Sequence, residues 1–189
     1  MADLKKLSLL IAVLVSLAGC GGNSGVYHDK NMDFGAIHTV AILPFGSLEG
    51  GGTAAEMVRD DFMGSLLATG AIYVIPSGEV AHGIGITGMQ SAMAPSTDEV
   101  KKFCSLEKAD AVITGIVKEY GQVRNGSAES DKIAVSIQMI EGQTGRIVWS
   151  ADVTKGGITV MDRLFGGGAE PMNVITQKAV NDLIKKLFM

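Results

Sequence analysis

The chain has 189 residues, a formal net charge of −4 and 47% hydrophobic residues, while charged residues make up only 19%. Disordered chains show the opposite balance, and this length suits one folded domain with a short extension. The composition excludes a collagen-like chain and a polytopic membrane protein, and the mild acidity offers no footprint for nucleic acid.

The first twenty residues have the layout of a secretion signal. Two lysines precede an apolar segment, residues 7–18, which is too short to span a bilayer because a spanning helix needs about 20 residues. The segment ends in Leu17-Ala18-Gly19-Cys20, which resembles the bacterial lipoprotein box, where the cysteine is lipidated and becomes the new N-terminus. The alternative is an ordinary signal peptide that happens to end near a cysteine.

The resemblance to a lipoprotein box implies that residues 1–19 are removed and that several acyl chains, palmitate among them, attach Cys20 to a membrane. One acyl chain alone binds only marginally, so several are needed for stable anchoring. Gly21 follows where an inner-membrane retention signal would place Asp, and by resemblance to enterobacterial lipoproteins this favours the periplasmic face of the outer membrane. Residues 20–37 are predicted to form a short tether that reaches roughly 20–25 Å.

The first half of the domain, which is predicted to span residues 38–189, alternates apolar strands with helices. Three strands are predicted, at Thr39–Phe45, Ala71–Ile75 and Asp110–Tyr120. Two helices follow capping boxes, one from Thr53 to about Thr69 and one from Ser96 to about Lys108. Strand–helix alternation predicts parallel pairing with right-handed crossovers, and the strand that is apolar on both faces, Asp110–Tyr120, is expected at the centre.

Details of the helical segments follow from spacing and composition. The face of the first helix that is expected to be buried carries Ala54, Met57, Val58, Phe62, Ser65 and Leu66. Gly70 is the expected C-cap of that helix. Ser77–Gly83 is predicted as one helical turn, and residues 83–95 are rich in glycine and alanine without a clear period.

The second half of the chain has a different pattern. Residues 121–131 are polar and are predicted to be a turn. Polar and apolar residues alternate along Lys132–Glu141 and along Arg146–Thr154, which predicts an antiparallel meander with one face exposed to solvent. Ile147 and Trp149 are both expected on the opposite, buried face. A final helix begins at Pro171. The predicted class is therefore α/β with a mixed sheet, a parallel βαβαβ part followed by an antiparallel meander and a C-terminal helix.

The sequence offers no recognisable catalytic chemistry. The histidines are scattered without the paired spacing of metal ligands, so neither a metal nor a cofactor is expected. Asp60 and Asp61 are adjacent in a predicted helix, so they point apart and do not form a catalytic pair. Cys104 lies on a predicted amphipathic helix and is expected to be a small buried hydrophobe; the alternative is a reactive thiol. We therefore predict that the protein is not an enzyme.

A glycine-rich segment precedes the first predicted helix. The backbone amides of Gly50, Gly51, Gly52 and Thr53 make a possible anion contact, because the N–H groups at a helix N-terminus are free to bind anions. The segment lacks the Gly-Lys-Ser/Thr ending of a phosphate-binding loop. The alternative is a plain flexible connection.

Three loops carry apolar residues that are expected to be exposed. They are residues 46–52, residues 83–95 and the loop of residues 156–168, whose apolar motif contains Met161, Leu164 and Phe165. These loops are the candidate contacts with a protein partner, and the alternative is that they are ordinary variable loops.

The order of motifs resembles a family of envelope lipoproteins. The lipoprotein box is followed by Val40–Phe45 (VAILPF), Ala109–Gly115 (ADAVITG), Thr144–Trp149 (TGRIVW) and a closing helix. This order resembles the CsgG-type (curli secretion component) and LpoB-type (penicillin-binding-protein activator) lipoproteins. The resemblance implies a domain related to anticodon-binding-like and TolB N-terminal folds, held at the periplasmic face of the outer membrane.

The chain also departs from both relatives. The stretches that match the long membrane-inserted hairpins of CsgG-type channels, residues 121–131 and 156–168, lack a sustained alternation of apolar residues. LpoB-type activators carry a long disordered tether, which is short here. We therefore expect a non-catalytic interaction or assembly module, held to the membrane by lipid on Cys20, that binds another envelope protein or its own copies. The alternatives are a subunit of an oligomeric CsgG-type secretion assembly and a lipoprotein that binds a small ligand or anion.

Overall fold

The computed structural model describes residues 25–48, 51–125, 128–157 and 170–189. Seven strands form one mixed sheet in the order β1-β7-β6-β5-β2-β4, with β3 also paired to β5. The strands are β1 (Val26–His28), β2 (Thr39–Ile42), β3 (Gly46–Ser47), β4 (Tyr73–Val74), β5 (Ala111–Asn125), β6 (Ala128–Glu141) and β7 (Ile147–Gly156). The helices are α1 (Gly51–Thr69), α2 (Ser77–Thr87), α3 (Thr97–Glu107) and α4 (Met172–Leu187).

The centre of the sheet is β5. It pairs in parallel with β2 and β3 on one side and antiparallel with β6 on the other. Its first residues, Ala111, Val112 and Ile113, are completely buried because helices cover both faces there. The predicted mixed sheet, with a parallel part followed by an antiparallel meander and a C-terminal helix, is confirmed, as is the central position of the third predicted strand.

The two faces of the sheet are covered unequally. On one face, α1 and α4 form the larger core, in which Phe62, Trp149 and Leu183 are fully buried. On the other face, α2 and α3 cover a smaller core around Phe103 and Val112. That smaller core involves β2, the start of β5 and the end of β6, and no described helix covers the same face over β7 and β1.

The helix boundaries differ from the prediction in two places. Helix α1 begins at Gly51, so Thr53 lies inside it and not at its N-cap. Met57 was expected to be buried but is half exposed. Consecutive helical residues are rotated by 100°, and the buried stripe runs through Val58 and its i+4 neighbours, which turns Met57 toward solvent. Helix α2 continues to Thr87, beyond the single turn that was predicted.

Two predicted helix ends are confirmed. Gly70 has a φ of 64° immediately after α1, which is the left-handed backbone that favours glycine at a helix C-terminus. The Ser96 hydroxyl accepts a hydrogen bond from the Glu99 amide, and the Glu99 carboxylate accepts one from the Ser96 amide. This reciprocal capping box starts α3 at Thr97, as predicted.

The segment predicted as a polar turn, residues 121–131, is largely strand. β5 continues to Asn125 and β6 begins at Ala128, so the two strands form a hairpin. Arg124 and Glu129 pair directly across this hairpin with an N–O distance of 3.1 Å. The prediction was wrong because these residues are polar and gave no apolar alternation, whereas a strand pair away from the core needs none.

One buried position in the meander was also misplaced. Ile147 was expected on the buried face with Trp149, but Ile147 is exposed and Val148 is buried instead. The register of β6 and β7 shifts next to Met139, so that Met139 pairs with Trp149 while Ile140 pairs with Ile147. This bulge inserts one residue and reverses the faces on its far side.

The tether before the domain is shorter than the predicted residues 20–37. Val26–His28 pairs antiparallel with β7 and forms an edge of the sheet, so the chain joins the domain well before residue 38. The buried Asp29 carboxylate accepts a hydrogen bond from the Arg146 guanidinium at 2.9 Å. Strand β1 is too short for its sequence alone to predict it, since it forms by pairing with an available edge.

Replacing Phe62 by alanine should lower the free energy of unfolding by about 3–5 kcal/mol, since it leaves a cavity in the larger core. The matched change on the same helix, Met57→Ala, should cost less than about 1 kcal/mol, because that side chain is half exposed. Urea denaturation followed by Trp149 fluorescence measures both. Equal losses for the two variants would contradict the placement of the buried stripe.

Candidate functional site

Two of the three predicted contact loops meet on the sheet. A β-carbon built on Gly46 would clash with the Met93 sulfur, so the Met93 side chain packs directly over the backbone of β3. The Thr114 hydroxyl, on β5, lies 3.1 Å from the Ala92 carbonyl oxygen and 3.2 Å from that of Met93, and it donates to this pair. The fold therefore places residues 46–48 and 92–93 side by side.

The loop before α3 is held at both ends by one carboxylate. Glu99 accepts hydrogen bonds from the Gln90 amide at 2.7 Å and from the Ser96 amide at 2.7 Å. These bonds, with that of the Gln90 amide the largest effect, hold the pKa of Glu99 below its usual value. The capping box that starts the helix thus also positions the loop that carries Met93.

A groove of about 180 Å³ lies beside this loop. Its floor is the sheet face that α2 and α3 leave uncovered. The groove is lined by Met93, Thr114, Gly115, Ile116, Ser136, Ile137, Gln138 and Ser150. We call it the sheet-face groove. Ser150 pairs across the sheet with Gln138 on one side and with the exposed Tyr27 on the other, so a row of polar side chains continues to the sheet edge.

An ion pair lies beside the groove. The Lys118 ammonium is 2.7 Å from the Asp152 carboxylate, and Asp152 is the cross-strand partner of Ser136. Burial raises the pKa of Asp152, but hydrogen bonds from Lys118 and Ser136 outweigh burial and leave that pKa below its usual value. The two charges compensate each other, so the groove presents neutral hydroxyl and amide groups.

The groove suits binding through polar and apolar contacts. Met93 is 47% exposed at its rim and Leu48, next to β3, is 73% exposed. Gln138 offers amide donors and acceptors in the same groove as Met93. Its lining contains neither a titratable base nor an activated nucleophile, which are the groups that proton transfer and covalent catalysis use.

The other predicted site residues lie elsewhere. Gly51, Gly52 and Thr53 form the first turn of α1, where backbone amides lack helical partners. The anion contact there stays a prediction. Outside the described residues lie Leu17, Ala18, Gly19, Cys20, Gly50, Met161, Leu164 and Phe165.

Sequence reasoning did not single out the polar floor of the groove. Ser136, Gln138 and Ser150 lie on the wet face of the predicted meander, so the alternation of β6 and β7 did contain the signal. What was missing was the knowledge that the loop carrying Met93 folds over the same face. That contact depends on Thr114, which is buried and is distant from the loop in sequence, although its hydroxyl donates a hydrogen bond to the loop.

Cys104 lies at a separate groove of about 510 Å³ beside α3. The cysteine is 4% exposed, and burial, together with the nearby carboxylates of Glu141 and Asp110, raises the pKa of its thiol to about 12. Its predicted role as a small buried hydrophobe is confirmed by this burial. Among residues 25–48, 51–125, 128–157 and 170–189, no group of three His, Cys, Asp or Glu side chains could hold a metal ion.

No described helix is both long enough and apolar enough to cross a membrane. No protein-family model matches the chain, and no curated protein matches it in sequence.

Solved structures share the fold at low sequence identity. The PelC dodecamer from Paraburkholderia phytofirmans matches with a TM-score of 0.57 and 13% identity, over 86% of this chain and 94% of that chain. Lipoprotein GNA1162 from Neisseria meningitidis matches with a TM-score of 0.53 and 17% identity, over 78% of this chain and 99% of that chain. The chain therefore has the fold of these bacterial proteins.

The LpoB C-terminal domain from Escherichia coli also matches, with a TM-score of 0.47 and 14% identity, over 62% of this chain and 83% of that chain. A similarity of this extent is too slight to support an argument about function. The resemblance to CsgG-type proteins stays a prediction.

Alkylation of Cys104 by iodoacetamide at pH 8 should be at least about 10³-fold slower in the folded protein than for a free thiol. The thiolate is the reactive form, and a pKa of about 12 leaves it scarcely populated at that pH. Mass spectrometry of the labelled chain, with and without urea, measures the rate. Rapid labelling without urea would instead support the reactive-thiol alternative.

Proposed function

We propose that this chain is a non-catalytic, lipid-anchored protein of the bacterial envelope, which binds another envelope protein through the sheet-face groove or associates with its own copies. The observation that carries the proposal is that the exposed apolar side chain of Met93, held over the backbone of Gly46, lies at the rim of a neutral polar sheet face. Loop residues that are held in place on a rigid sheet are typical of binding surfaces.

Envelope location is supported by two independent features. The order of charged residues, apolar segment and Leu17-Ala18-Gly19-Cys20 matches a lipoprotein signal. GNA1162, which has the same fold, is a lipoprotein. We further propose that the lipid lies in the outer membrane with the domain on the periplasmic side, because Gly21 replaces the Asp of an inner-membrane retention signal.

Self-association is the second candidate for what the module does. PelC, whose fold this chain shares over most of its length, forms a dodecamer. If this chain forms an oligomer, it would be a subunit of an assembly, which is the alternative that its resemblance to CsgG-type proteins suggests. If it is a monomer, the binding of a different envelope protein is favoured. Both forms need an exposed contact surface and neither needs a catalytic group.

Replacing Cys20 by alanine should release the protein from the membrane fraction, because no lipid can then be attached. Cys104→Ala is the matched control and should leave the distribution unchanged, since that thiol is buried in the fold. Immunoblots of washed membranes from cells that express the full chain measure the partition. Retention of the Cys20→Ala variant in membranes would contradict lipid anchoring at this residue.

A photoreactive amino acid in place of Met93 should give crosslinked adducts in intact cells, because this position lies at the rim of the proposed contact surface. Ile86 is similarly exposed but lies on α2 outside the groove lining, so the same amino acid there is the matched control and should give few adducts. Mass spectrometry identifies the adducts as a second copy or another protein. Equal adduct formation at both positions would contradict the assignment of the groove.

A further inference from the structure

We propose that α1 and α4 form a self-complementary face on which a second copy of this chain docks, with α1 of each copy against α4 of the other. This inference rests on the proposed self-association and assigns it a surface. It concerns the layer of helices on the opposite side of the sheet from the sheet-face groove.

The two helices carry opposite charge. Helix α1 contains three acidic residues and one arginine, for a net charge of −2, and its outward side carries Asp60 and Asp61. Helix α4 contains three lysines and one aspartate, for a net charge of +2, with Lys178 and Lys185 exposed. No ion pair among the described residues involves a carboxylate of α1, so these charges are available to a partner.

Apolar side chains stand on the same outward surface. Met57 and Leu67 are half exposed on α1, and Gly64 between them leaves room for close approach. On the second helix, Val174 is exposed near its start and Phe188 directly follows its end. Each helix therefore presents charge flanked by apolar side chains, which is the composition of a small interface.

The relative direction of the helices sets how two copies can meet. Ala71 and Ile72, just after α1, line the same cavity of about 260 Å³ as Leu187 and Phe188 at the end of α4. The C-terminal ends of the two helices thus lie together, and the helices run side by side in the same direction. Helix α1 lies against α4 within the domain, so their outward surfaces form one continuous face.

A two-fold axis parallel to the helices places α1 of one copy opposite α4 of the other, with both helices running the same way. Counting back from the shared C-terminal end at the same rise per residue brings Asp60 opposite Lys178 and brings Met57 to within one residue, about 1.5 Å along the axis, of Val174. A two-fold axis across the helices would instead oppose acidic helix to acidic helix. Charge complementarity therefore selects the parallel axis.

Two local features are compatible with this arrangement. Burial raises the pKa of Asp61, and so does the repulsion between its carboxylate and that of the neighbouring Asp60. A lysine on the facing helix would relieve this repulsion. Lys178 already contacts Glu170, but both side chains are half exposed, and an exposed pair of this kind is easily exchanged.

The size of the face predicts a weak dimer. Helices of 19 and 16 residues are about 28 and 24 Å long, and two packed helices are about 20 Å wide. The face therefore covers about 500 Å² per copy, or about 1,000 Å² in total, at the lower end for specific interfaces. Attachment of both copies to one membrane raises their effective concentration and favours such an interface.

Disulfide trapping in cells tests the geometry. Two full-length copies with different tags are co-expressed, one carrying Met57→Cys and the other Val174→Cys. We expect a disulfide-linked heterodimer on a non-reducing gel, because the two positions face each other in the dimer. The matched control is Ile86→Cys with Leu106→Cys, two exposed positions on α2 and α3, which should give no heterodimer.

Charge reversal tests the cause of the pairing. Asp60→Lys in both copies, or Lys178→Glu in both copies, should reduce the trapped heterodimer about tenfold, because each change opposes like charges. The combination of the two changes should restore it to within about twofold, which a misfolded variant would not do. Lys101→Glu on α3 is the control for a change of net charge alone, and it should have no effect.

Four outcomes separate this inference from the proposed function. Heterodimer with rescue by the combined charge reversal supports the inference. Absence of trapping, while light scattering of the detergent-solubilised protein still shows an oligomer, overturns this surface and leaves self-association intact. Absence of both trapping and any oligomer overturns self-association together with this surface. Trapping that charge reversal does not change overturns the charge-based register.

Discussion

The structure depends on the burial of β5 between two different kinds of neighbour. Its parallel partners, β2 and β3, bring α1 and the first half of the chain, and its antiparallel partner β6 brings the meander. Gly115 shows how tight this junction is, since a β-carbon there would lie 3.1 Å from a ring carbon of Phe45 and 3.2 Å from Ile137. Both hydrophobic cores contain residues of this strand, so neither forms without it.

The candidate site follows from the unequal covering of that sheet. Helices α2 and α3 have 11 residues each, about 16 Å of helix, and they are too short to cover the whole of their face. The strands beyond them carry polar side chains such as Ser136 and Gln138, which need no cover. Glu99 then holds a loop against the boundary between the covered and the uncovered part, and this places Met93 at the rim of a groove.

Sequence patterns predicted what depends on local periodicity. The apolar alternation of β6 and the spacing of α4 were sufficient, because the core selects every second residue of a strand and every third or fourth residue of a helix. The predictions failed where pairing with a neighbour decides the structure. The polar hairpin ends of β5 and β6, the edge strand β1 and the bulge beside Met139 all form through cross-strand hydrogen bonds, which leave little trace in hydrophobicity.

The same reasoning explains how much of the site could be predicted. The loops that contain Leu48 and Met93 were identified from composition, but their meeting depends on Thr114, which is distant in sequence from both. The sequence shows the charge of α1 and the charge of α4, but only as properties of two separate helices. Only the fold shows that these helices are neighbours in one layer and that their charged sides share one surface.

The position of β1 relates these surfaces to the membrane. Gly25 continues into the edge strand of the sheet, and the ion pair between Asp29 and Arg146 fixes the segment that follows. Four residues lie between Cys20 and Gly25, so the five Cα–Cα steps from one to the other can span at most about 18 Å. A lipid on Cys20 would therefore hold the domain by a sheet edge and close to the membrane. An edge attachment covers neither face of the sheet, so the sheet-face groove and the helix layer would both stay accessible, and one copy has room to bind a partner on each side.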